Sequence, residues 1–325
     1  MPEKLFEYTV EKRNFHDYEL EGIDSIILYA VSSSNNIKNN SLLFVKKEDD
    51  LKAVLSNRSI SSCMIIARKE HFLKLKDRIA VDRNIFVLVD NPRLDYAKVL
   101  LKILDGISYH ENNLKNLKYD PEKHIFIGKN VEIGTNVIIE PFVTIGSNVK
   151  IDENVVVKSG TKILNNVLIG KNCEIDENVV IGSQGFGIEV DNLTTTYRIP
   201  HLGGVIIGDN VSIGSGSIIN SGTIEPTIIM NNVKIDSSVH IAHNCLIKDS
   251  SLIASNSITS GSCEVGRNVW IGPNSVIANR VTIQDNVYVA MGSVVIRNVK
   301  KGQKVSGNFA IDHEKHLKHV FESSR

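Results

Sequence analysis

The chain has 325 residues, with 37 basic and 37 acidic side chains and a formal net charge of zero. A balanced charge of this kind does not favour nucleic acid or an anionic membrane as a partner. There is no apolar run long enough to span a bilayer, and the opening MPEKLFEYTV does not read as a signal peptide, so we expect a cytoplasmic protein.

Residues 1–107 have the pattern of a small α/β domain that binds nucleotide or substrate. The apolar segments IDSIILYAV, SLLFV, SCMIIA and NIFVLVD have the composition of buried strands. The segments DDLKAVLSN and EHFLKLKDRIA lie among them and show helical spacing, which favours an α/β domain. A further helix, RLDYAKVLLKILDG, follows Pro92 and closes the domain. The polar residues 108–124 are then a predicted linker.

A six-residue period dominates the rest of the chain. From Ile127 to Ile181 an Ile or Val stands at every sixth position, and a second register runs from Ile235 to Val295. Neither a helix, which repeats at about 3.6 residues, nor a strand, which repeats at about 2, has this period. A prism-shaped solenoid does, because three short strands, one for each face, close a coil of 18 residues. We therefore predict a column of parallel strands over residues 125–304.

Asparagine precedes the smaller inward residue in many of the repeats. Asn tolerates a left-handed backbone better than other non-glycine residues. These positions are therefore predicted corners of the prism. The corner asparagines are Asn130, Asn136, Asn148, Asn154, Asn210, Asn268 and Asn286.

Residues 183–204, SQGFGIEVDNLTTTYRIPHLGG, interrupt the repeat. Loops of this length in a compact repeat are often functional, but a packing flap between subunits is an equally good interpretation. A short piece of the period, 207–219, follows before the second register. After the column, residues 305–325 are predicted to form a cap with a short C-terminal helix that begins near Asp312.

The four cysteines lack the CxxC spacing of a metal site, and we expect no metal. Cys245 and Cys263 are one coil of 18 residues apart in the small inward position, so they are predicted to stack in the core.

The segment Val239-His240-Ile241-Ala242-His243-Asn244 carries the chemistry of the chain. Its two histidines flank an inward Ile241, so both imidazoles point away from the core. An imidazole outside an apolar core can transfer protons near pH 7. Two outward histidines can also be exposed surface residues with no catalytic function.

Four motifs together resemble the left-handed β-helix, or hexapeptide-repeat, N-acyltransferases: HIAHN, IGSQGFG, RIPHLGGVIIGD and NPRLDYA. The chain looks most similar to UDP-3-O-acylglucosamine N-acyltransferase and related nucleotide-amino-sugar N-acyltransferases. The repeat alone is less specific, since serine acetyltransferases and γ-class carbonic anhydrases share it. The resemblance implies a mainly β fold: a left-handed parallel β-helix with a small N-terminal α/β domain and a short C-terminal helix. It also implies a homotrimer with active sites between neighbouring columns.

Carried over to this chain, the resemblance makes His243 the general base and Asp236 the carboxylate that orients it. It places the backbone N–H of Gly261 against the oxyanion, and Gly261 lies 18 residues after His243, one full coil away. The candidates for substrate binding are His240, Phe44, Asn220, Tyr197 and His201. The candidates for binding the phosphates of an acyl-coenzyme A co-substrate are Arg280, Lys300 and Lys301.

Departures from the lipid A enzyme bear on the substrate. Arg280 stands where that family has a second histidine, and the Asn and Tyr that accompany Phe44 in holding uracil are missing. These departures favour a dTDP-4-amino-4,6-dideoxyhexose as acceptor and acyl-CoA as donor, for surface glycan synthesis. The alternative is the UDP-3-O-acylglucosamine N-acyltransferase of lipid A synthesis, which uses acyl carrier protein.

Two further hypotheses come from other classes of protein. A zinc enzyme of the γ-carbonic-anhydrase type could use His201, His240 and His243, and a solenoid could also be a scaffold without catalysis.

Overall fold

The computed structural model describes residues 5, 7–75, 83–106, 117–192, 194–307, 314–315 and 322. The first part of the chain contains short strands and three α-helices, preceded by a 3₁₀ turn at Lys12–Phe15. The strands are β1 (Tyr8–Glu11), β2 (Glu19–Gly22), β3 (Ser25–Leu28), β4 (Ala30–Val31), β5 (Ser41–Val45), β6 (Met64–Arg68) and β7 (Ile85–Val89). The helices are α1 (Glu48–Ser56), α2 (Lys69–Leu75) and α3 (Pro92–Gly106).

The N-terminal domain is a twisted sheet between helices. Its strand order is β2-β7-β6-β5-β4, with β4 to β7 parallel and β2 antiparallel at the edge. Successive side chains of a strand face opposite sides of a sheet. Accordingly Leu42 packs with α3 on one side, whereas Leu43 packs with α1 and α2 on the other. Strands and helices thus lie in the predicted segments, although residues 76–80, the end of the predicted helix EHFLKLKDRIA, lie outside the described residues.

The remainder of the chain is a prism of very short strands. In chain order they are β8 (Lys118–Asp120), β9 (Ile125–Ile127), β10 (Glu132–Ile133), β11 (Ile138–Ile139), β12 (Thr144–Ile145), β13 (Lys150–Ile151), β14 (Val156–Val157), β15 (Lys162–Ile163), β16 (Val167–Ile169), β17 (Glu174–Ile175), β18 (Val180–Ser183), β19 (Ile188–Asp191), β20 (Thr195–Arg198), β21 (Val205–Ile207), β22 (Ser212–Ile213), β23 (Ile218–Asn220), β24 (Thr227–Ile229), β25 (Lys234–Ile235), β26 (His240–Ile241), β27 (Leu246–Ile247), β28 (Leu252–Ile253), β29 (Ile258–Thr259), β30 (Glu264–Val265), β31 (Trp270–Ile271), β32 (Val276–Ile277), β33 (Thr282–Ile283), β34 (Tyr288–Val289), β35 (Val294–Val295) and β36 (Lys304–Val305).

Three parallel sheets form the three faces of the column. The first face runs β9-β12-β15-β18-β23-β26-β29-β32-β35, with β8 antiparallel at its start. The second runs β10-β13-β16-β21-β24-β27-β30-β33, and the third runs β11-β14-β17-β22-β25-β28-β31-β34-β36. Each coil contributes one strand to each face. One six-residue period therefore crosses one face, and three periods complete one coil.

The coil length changes at two places. Stacked residues are 18 apart in the regular coils, as at Asn130 and Asn148. They are 38 apart across the insertion, as at Lys171 and Asp209, and 22 apart across the next coil, as at Asp209 and Asn231. Both extra segments leave the column after a strand of the first face, β18 or β23, so they emerge at the same corner.

The corners have the left-handed backbone that the asparagines predict. All seven asparagines named from the sequence have φ between 54° and 59°. Their amides also bond up the corner: Asn130 Nδ2 donates to Asn148 Oδ1 at 3.1 Å, and Asn148 Nδ2 donates to Asn166 Oδ1 at 3.1 Å. Asn therefore lowers the steric cost of the turn and bonds the coils together.

The inward anchors form one continuous apolar core along the column, from Ile125 to Val299. Anchors such as Ile151 and Ile241 are almost fully buried, and so are Cys245 and Cys263 in the smaller position. All four cysteines are free thiols.

The insertion folds as an antiparallel hairpin, β19–β20, that packs against the N-terminal domain of its own chain. Glu189 forms an ion pair with Arg93 at 2.5 Å, and Asp191 forms one with Lys98 at 2.5 Å. After the hairpin, Ile199 is buried in the core of the N-terminal domain. The hairpin therefore ties this domain to the column.

The predicted C-terminal helix lies outside the described residues, apart from residues 314–315 and 322. In the part of the chain that the structure describes, none of the helices combines the length and apolar character that crossing a bilayer requires.

Replacing a column anchor should destabilise the protein far more than replacing its outward neighbour. In β13, Ile151 is buried and Lys150 is exposed. We expect Ile151→Ala to lower the free energy of unfolding by about 2–5 kcal/mol, because it removes buried methyl groups and leaves a cavity. Lys150→Ala should change it by less than about 1 kcal/mol. Denaturation in guanidinium chloride checks this, and equal losses would show that the six-residue register does not set the core.

Candidate active site

His243 follows β26 at the corner where the first face ends. Its Nδ1 lies 2.9 Å from Asn244 Oδ1. Asn244 Nδ2 donates to the carbonyl of Glu225 at 3.1 Å, so it is the oxygen of Asn244 that faces the ring. The neutral imidazole must therefore carry its proton on Nδ1, which leaves a lone pair on Nε2.

Asn244 is held on several sides. Its Oδ1 also accepts from the backbone N–H of Thr223 at 3.2 Å and from the Thr223 hydroxyl at 2.8 Å. Its own backbone N–H donates to Thr227 Oγ1 at 2.9 Å. Its φ is 59°, another corner position suited to Asn. The orientation of His243 is thus set by a fixed amide.

Asp236 does not have the role that the resemblance implied. It follows β25 on the third face, so a whole face separates it from the corner of His243. Its carboxylate accepts from the backbone N–H of Ser237 at 2.7 Å and of Ser255 at 3.2 Å. The hydrogen bond from Ser237, followed by those from Ser255, lowers the pKa of Asp236. The observed partner of His243 is Asn244, which corrects the assignment of Asp236.

Gly261 lies directly against the ring of His243, one coil further along the same corner. A Cβ at position 261 would stand 2.7 Å from both Cε1 and Nε2 of His243, a distance that real contacts do not reach. The backbone of the next residue, Ser262, donates to the carbonyl of His243 at 2.9 Å. Only glycine therefore allows this approach, and the 18-residue spacing places it where the sequence predicts.

His201 lies beside His243, with ring centroids 4.9 Å apart and an interplanar angle of 66°. It is only 3% exposed. Its Nδ1 donates to the carbonyl of Ile199 at 2.9 Å, and its buried Nε2 has no hydrogen-bond partner among the described residues. Burial, followed by repulsion from His243, lowers the pKa of His201 to about 4. His201 is therefore a neutral imidazole at pH 7.

Gly185, near the start of the insertion, lies against the rings of both His201 and His243. A Cβ there would stand 2.8 Å from His201 Nε2 and 2.8 Å from His243 Cδ2. The sequence contains this glycine in the motif IGSQGFG, but nothing in the sequence alone connects it with His243 across more than fifty intervening residues.

His240 is the outward neighbour on β26. Its Nε2 lies 2.6 Å from Asn220 Oδ1, and Asn220 Nδ2 donates to Ser183 Oγ at 2.9 Å. Asn220 thus accepts a hydrogen bond from His240, and burial lowers the pKa of the His240 imidazole. Two of the candidates for substrate binding, His240 and Asn220, therefore contact each other on the face that leads to His243.

A mostly apolar cavity of about 780 Å³ extends from His201 between α3, the start of the column and the insertion. Leu101, Phe126 and Leu164 line it, and Arg198 adds a charge.

The other two candidates for substrate binding, Phe44 and Tyr197, lie away from His243. Phe44 packs against the Tyr96 ring at 4.9 Å, and Tyr197 lies under Lys98 Nζ at 5.0 Å, both in the N-terminal domain or against it.

The predicted donor-binding residues do not form one cluster with His243. Lys300 and Lys301 are exposed near the end of the column, where their backbone N–H groups bond Gln303 and Gln284. Arg280 occupies a left-handed corner with φ 62°, and its N–H donates to the carbonyl of Gly261 at 3.1 Å. Arg280 is therefore close to the site, whereas the two lysines are coils away.

Comparison with known proteins shows the family to which the chain belongs. Residues 124–159 and 262–297 match the family model described as bacterial transferase hexapeptide (six repeats). UDP-3-O-acylglucosamine N-acyltransferase from Campylobacter lari is 39% identical over 292 residues, which is 89% of this chain and 88% of that protein. The chain belongs to this family. The enzyme of the same description from Helicobacter pylori is 32% identical over 84% of this chain and 77% of its own length.

Solved structures support the fold. A UDP-N-acetylglucosamine acyltransferase from Campylobacter jejuni aligns with a TM-score of 0.53 and 25% identity, covering 63% of this chain and 83% of that one. A UDP-N-acetylglucosamine O-acyltransferase from Moraxella catarrhalis aligns with a TM-score of 0.52 and 26% identity, over 62% and 77%. The left-handed parallel β-helix is thus confirmed. The protein is an N-acyltransferase that acts on the amine of a nucleotide-linked sugar.

The hypothesis of a zinc enzyme finds no support in these side chains. Among the described residues, no three His, Cys, Asp or Glu side chains converge as ligands.

Stability should fall on mild acidification because of His201. Its folded-state pKa, about 4, lies below the ordinary value of 6.5, so between these values the unfolded chain binds a proton that the folded chain does not. The stabilisation is complete above pH 6.5 and is lost as the pH falls towards 4. We expect the Tm to decrease between pH 7 and pH 5, and His201→Phe to flatten that decrease. His16→Gln, at an exposed histidine, should leave the slope unchanged.

Proposed function

We propose that this enzyme transfers an acyl group from an acyl thioester to the amine of UDP-3-O-acylglucosamine. The observation that carries the proposal is the contact between the free Nε2 of His243 and Gly261 on the next coil. The names of the relatives supply the acceptor, and they favour it over the dTDP-linked 4-amino sugar that the sequence suggested.

In the proposed reaction His243 Nε2 takes a proton from the amine as its nitrogen attacks the thioester carbonyl. A neutral imidazole with its other nitrogen fixed is suited to this step near pH 7. Asn244 accepts from Nδ1 throughout and keeps the ring in place as it becomes an imidazolium. The backbone N–H of Gly261 then faces the oxyanion of the tetrahedral intermediate. Collapse of that intermediate forms the amide and breaks the C–S bond, and the imidazolium of His243 returns its proton to the leaving thiolate.

The surroundings suit such an acceptor. The apolar cavity beside His201 has the volume and lining for an acyl chain. Cations are close to one another where the N-terminal domain faces the column: desolvation first, and then repulsion from Arg93 and other cations including Arg280, lowers the pKa of Lys46. Such a cluster favours the diphosphate of a nucleotide sugar.

The donor and the assembly belong to the proposal as well. Acyl carrier protein and acyl-CoA share the same thioester chemistry, and the acyl-CoA prediction stays a prediction, as do the phosphate-binding roles of Lys300 and Lys301. We also propose a homotrimer, for which outward apolar residues on the first face offer a contact surface. They include Ile218, Ile258 and Val294.

A panel of acceptors tests the function directly. UDP-3-O-acylglucosamine and a dTDP-4-amino-4,6-dideoxyhexose are each offered with acyl-CoA and with acyl carrier protein, and release of free thiol is measured. We expect turnover with the UDP sugar, and a loss of about 10²–10⁴-fold in kcat for His243→Ala, the range for one general base. Turnover of the dTDP sugar alone would overturn the proposed acceptor, and an unaffected His243→Ala would overturn the base.

The two candidate partners of His243 can be separated by substitution. Asn244→Ala removes the acceptor of Nδ1, so we expect kcat to fall by about 10²-fold or more as the ring loses its orientation. Asp236→Asn keeps a side chain of the same shape a face away, and kcat should stay within about threefold of wild type. The reverse ranking would restore the assignment of Asp236.

A further inference from the structure

The insertion packs against the N-terminal domain and brings His201 to His243. Gln184 binds the backbone of His201 on both sides: Gln184 Oε1 accepts from the His201 N–H at 2.8 Å, and Gln184 Nε2 donates to its carbonyl at 3.0 Å. Ser221 Oγ donates to the same carbonyl at 3.3 Å. These bonds fix the backbone of His201, and the bond from its Nδ1 to the carbonyl of Ile199 holds the ring beside His243.

The residues on either side of His201 are anchored in the N-terminal domain. Ile199 and Leu202 are 1% and 2% exposed, and both belong to the apolar core that α3 covers. Lys98 of α3 adds an ion pair with Asp191 and lies over the Tyr197 ring. The position of His201 is thus decided by how the hairpin docks on α3.

A second connection reaches Asn244 from the same domain. Ser33 Oγ donates to Glu225 Oε1 at 2.7 Å, and the backbone carbonyl of Glu225 accepts from Asn244 Nδ2 at 3.1 Å. One contact chain thus holds the amide that orients His243, while the other holds the ring beside it.

The unpaired Nε2 of His201 bears on what holds the His201 ring in place. A buried acceptor without a donor costs about 1–3 kcal/mol, so Nε2 does not explain why this ring lies where it does. The hydrogen bond of Nδ1 goes to Ile199, which is itself buried in the core of the N-terminal domain. The anchors of His201 in the N-terminal domain do explain its position.

We propose that His201 is a positioning residue for His243, and that the N-terminal domain sets its place through the β19–β20 hairpin. The proposal rests on the proposed function, in which His243 is the base. Without the ring of His201, His243 loses an aromatic neighbour whose centroid is 4.9 Å away, and its own ring can rotate away from Gly261. The N-terminal domain then contributes to turnover through geometry, in addition to any contact with substrate.

Substitution at His201 tests whether its ring positions His243. His201→Ala should lower kcat by about 10–10²-fold, the scale expected for a misplacement near 1 Å, with little change in KM. His201→Phe keeps an aromatic ring in the same place and should recover most of that loss. If His201→Phe is as slow as His201→Ala, the acceptor nitrogen matters and His201 contacts substrate, which overturns the proposal. Wild-type kcat in both variants would overturn it as well.

A charge exchange tests the hairpin at a distance from the chemistry. Lys98→Glu opposes Asp191, so kcat should fall with KM less affected, and adding Asp191→Lys should restore kcat at least in part. Lys74→Glu, which opposes Glu48 in an exposed pair between α1 and α2, is the matched control and should not change kcat. A Lys98→Glu variant with a lowered Tm but an unchanged kcat would show that the hairpin is only structural.

Carbethoxylation of His243 by diethyl pyrocarbonate, followed by mass spectrometry, gives a measure that does not require turnover. We expect His201→Ala and Lys98→Glu to raise the rate of modification several-fold, and His201→Phe and the exchanged pair to return it towards wild type. Unchanged rates in all variants would overturn the positioning role. If wild type transfers no acyl group to any acceptor while these rates still shift, the proposed function fails and the positioning of His243 stands.

Discussion

The stacking of coils is the constraint on which the rest of this structure depends. Each coil places one apolar anchor on each face, and the backbone of one coil bonds the next, so residues 18 apart are forced into contact. This contact sets Gly261 against His243 without any long-range search by the chain. The same constraint stacks Cys245 and Cys263 in the core, which shows that the spacing itself carries no chemistry. What distinguishes the two pairs is whether the side chain points inward or lies at a corner.

The two extra segments that interrupt the regular coils emerge at the same corner of the column. The insertion leaves after β18, the shorter excursion leaves after β23, and His243 and Gly261 follow β26 and β29 on the same face. A regular coil turns its corner within the six-residue period and adds no further segment there. The two extra segments supply what such a corner lacks: a second imidazole from His201 and the groups that hold Asn244. The functional chemistry therefore lies where the repeat is broken.

The sequence predicts a contact in the site where the repeat itself produces it. It does not predict a contact made by a segment outside the repeat. His243 and Gly261 are related by one coil length, and the chain shows that length many times. Asp236 is seven residues before His243, a distance that crosses a whole face, and its carboxylate caps backbone amides at a different corner. Asn244 was visible in the HIAHN motif, but its hydrogen bonds come from a loop whose path no periodicity describes.

The sequence by itself determined the prism, its coil length, the left-handed corners and the α/β domain, because these follow from local propensity and from burial of regularly spaced apolar side chains. Tertiary structure alone decided that the insertion docks on the N-terminal domain, that His201 lies against His243 and that Asn244 orients the ring. Those contacts join segments far apart in the chain through single ion pairs, hydrogen bonds and glycine clearances. Such interactions leave no repeated pattern, so only the folded arrangement of the two domains fixes them.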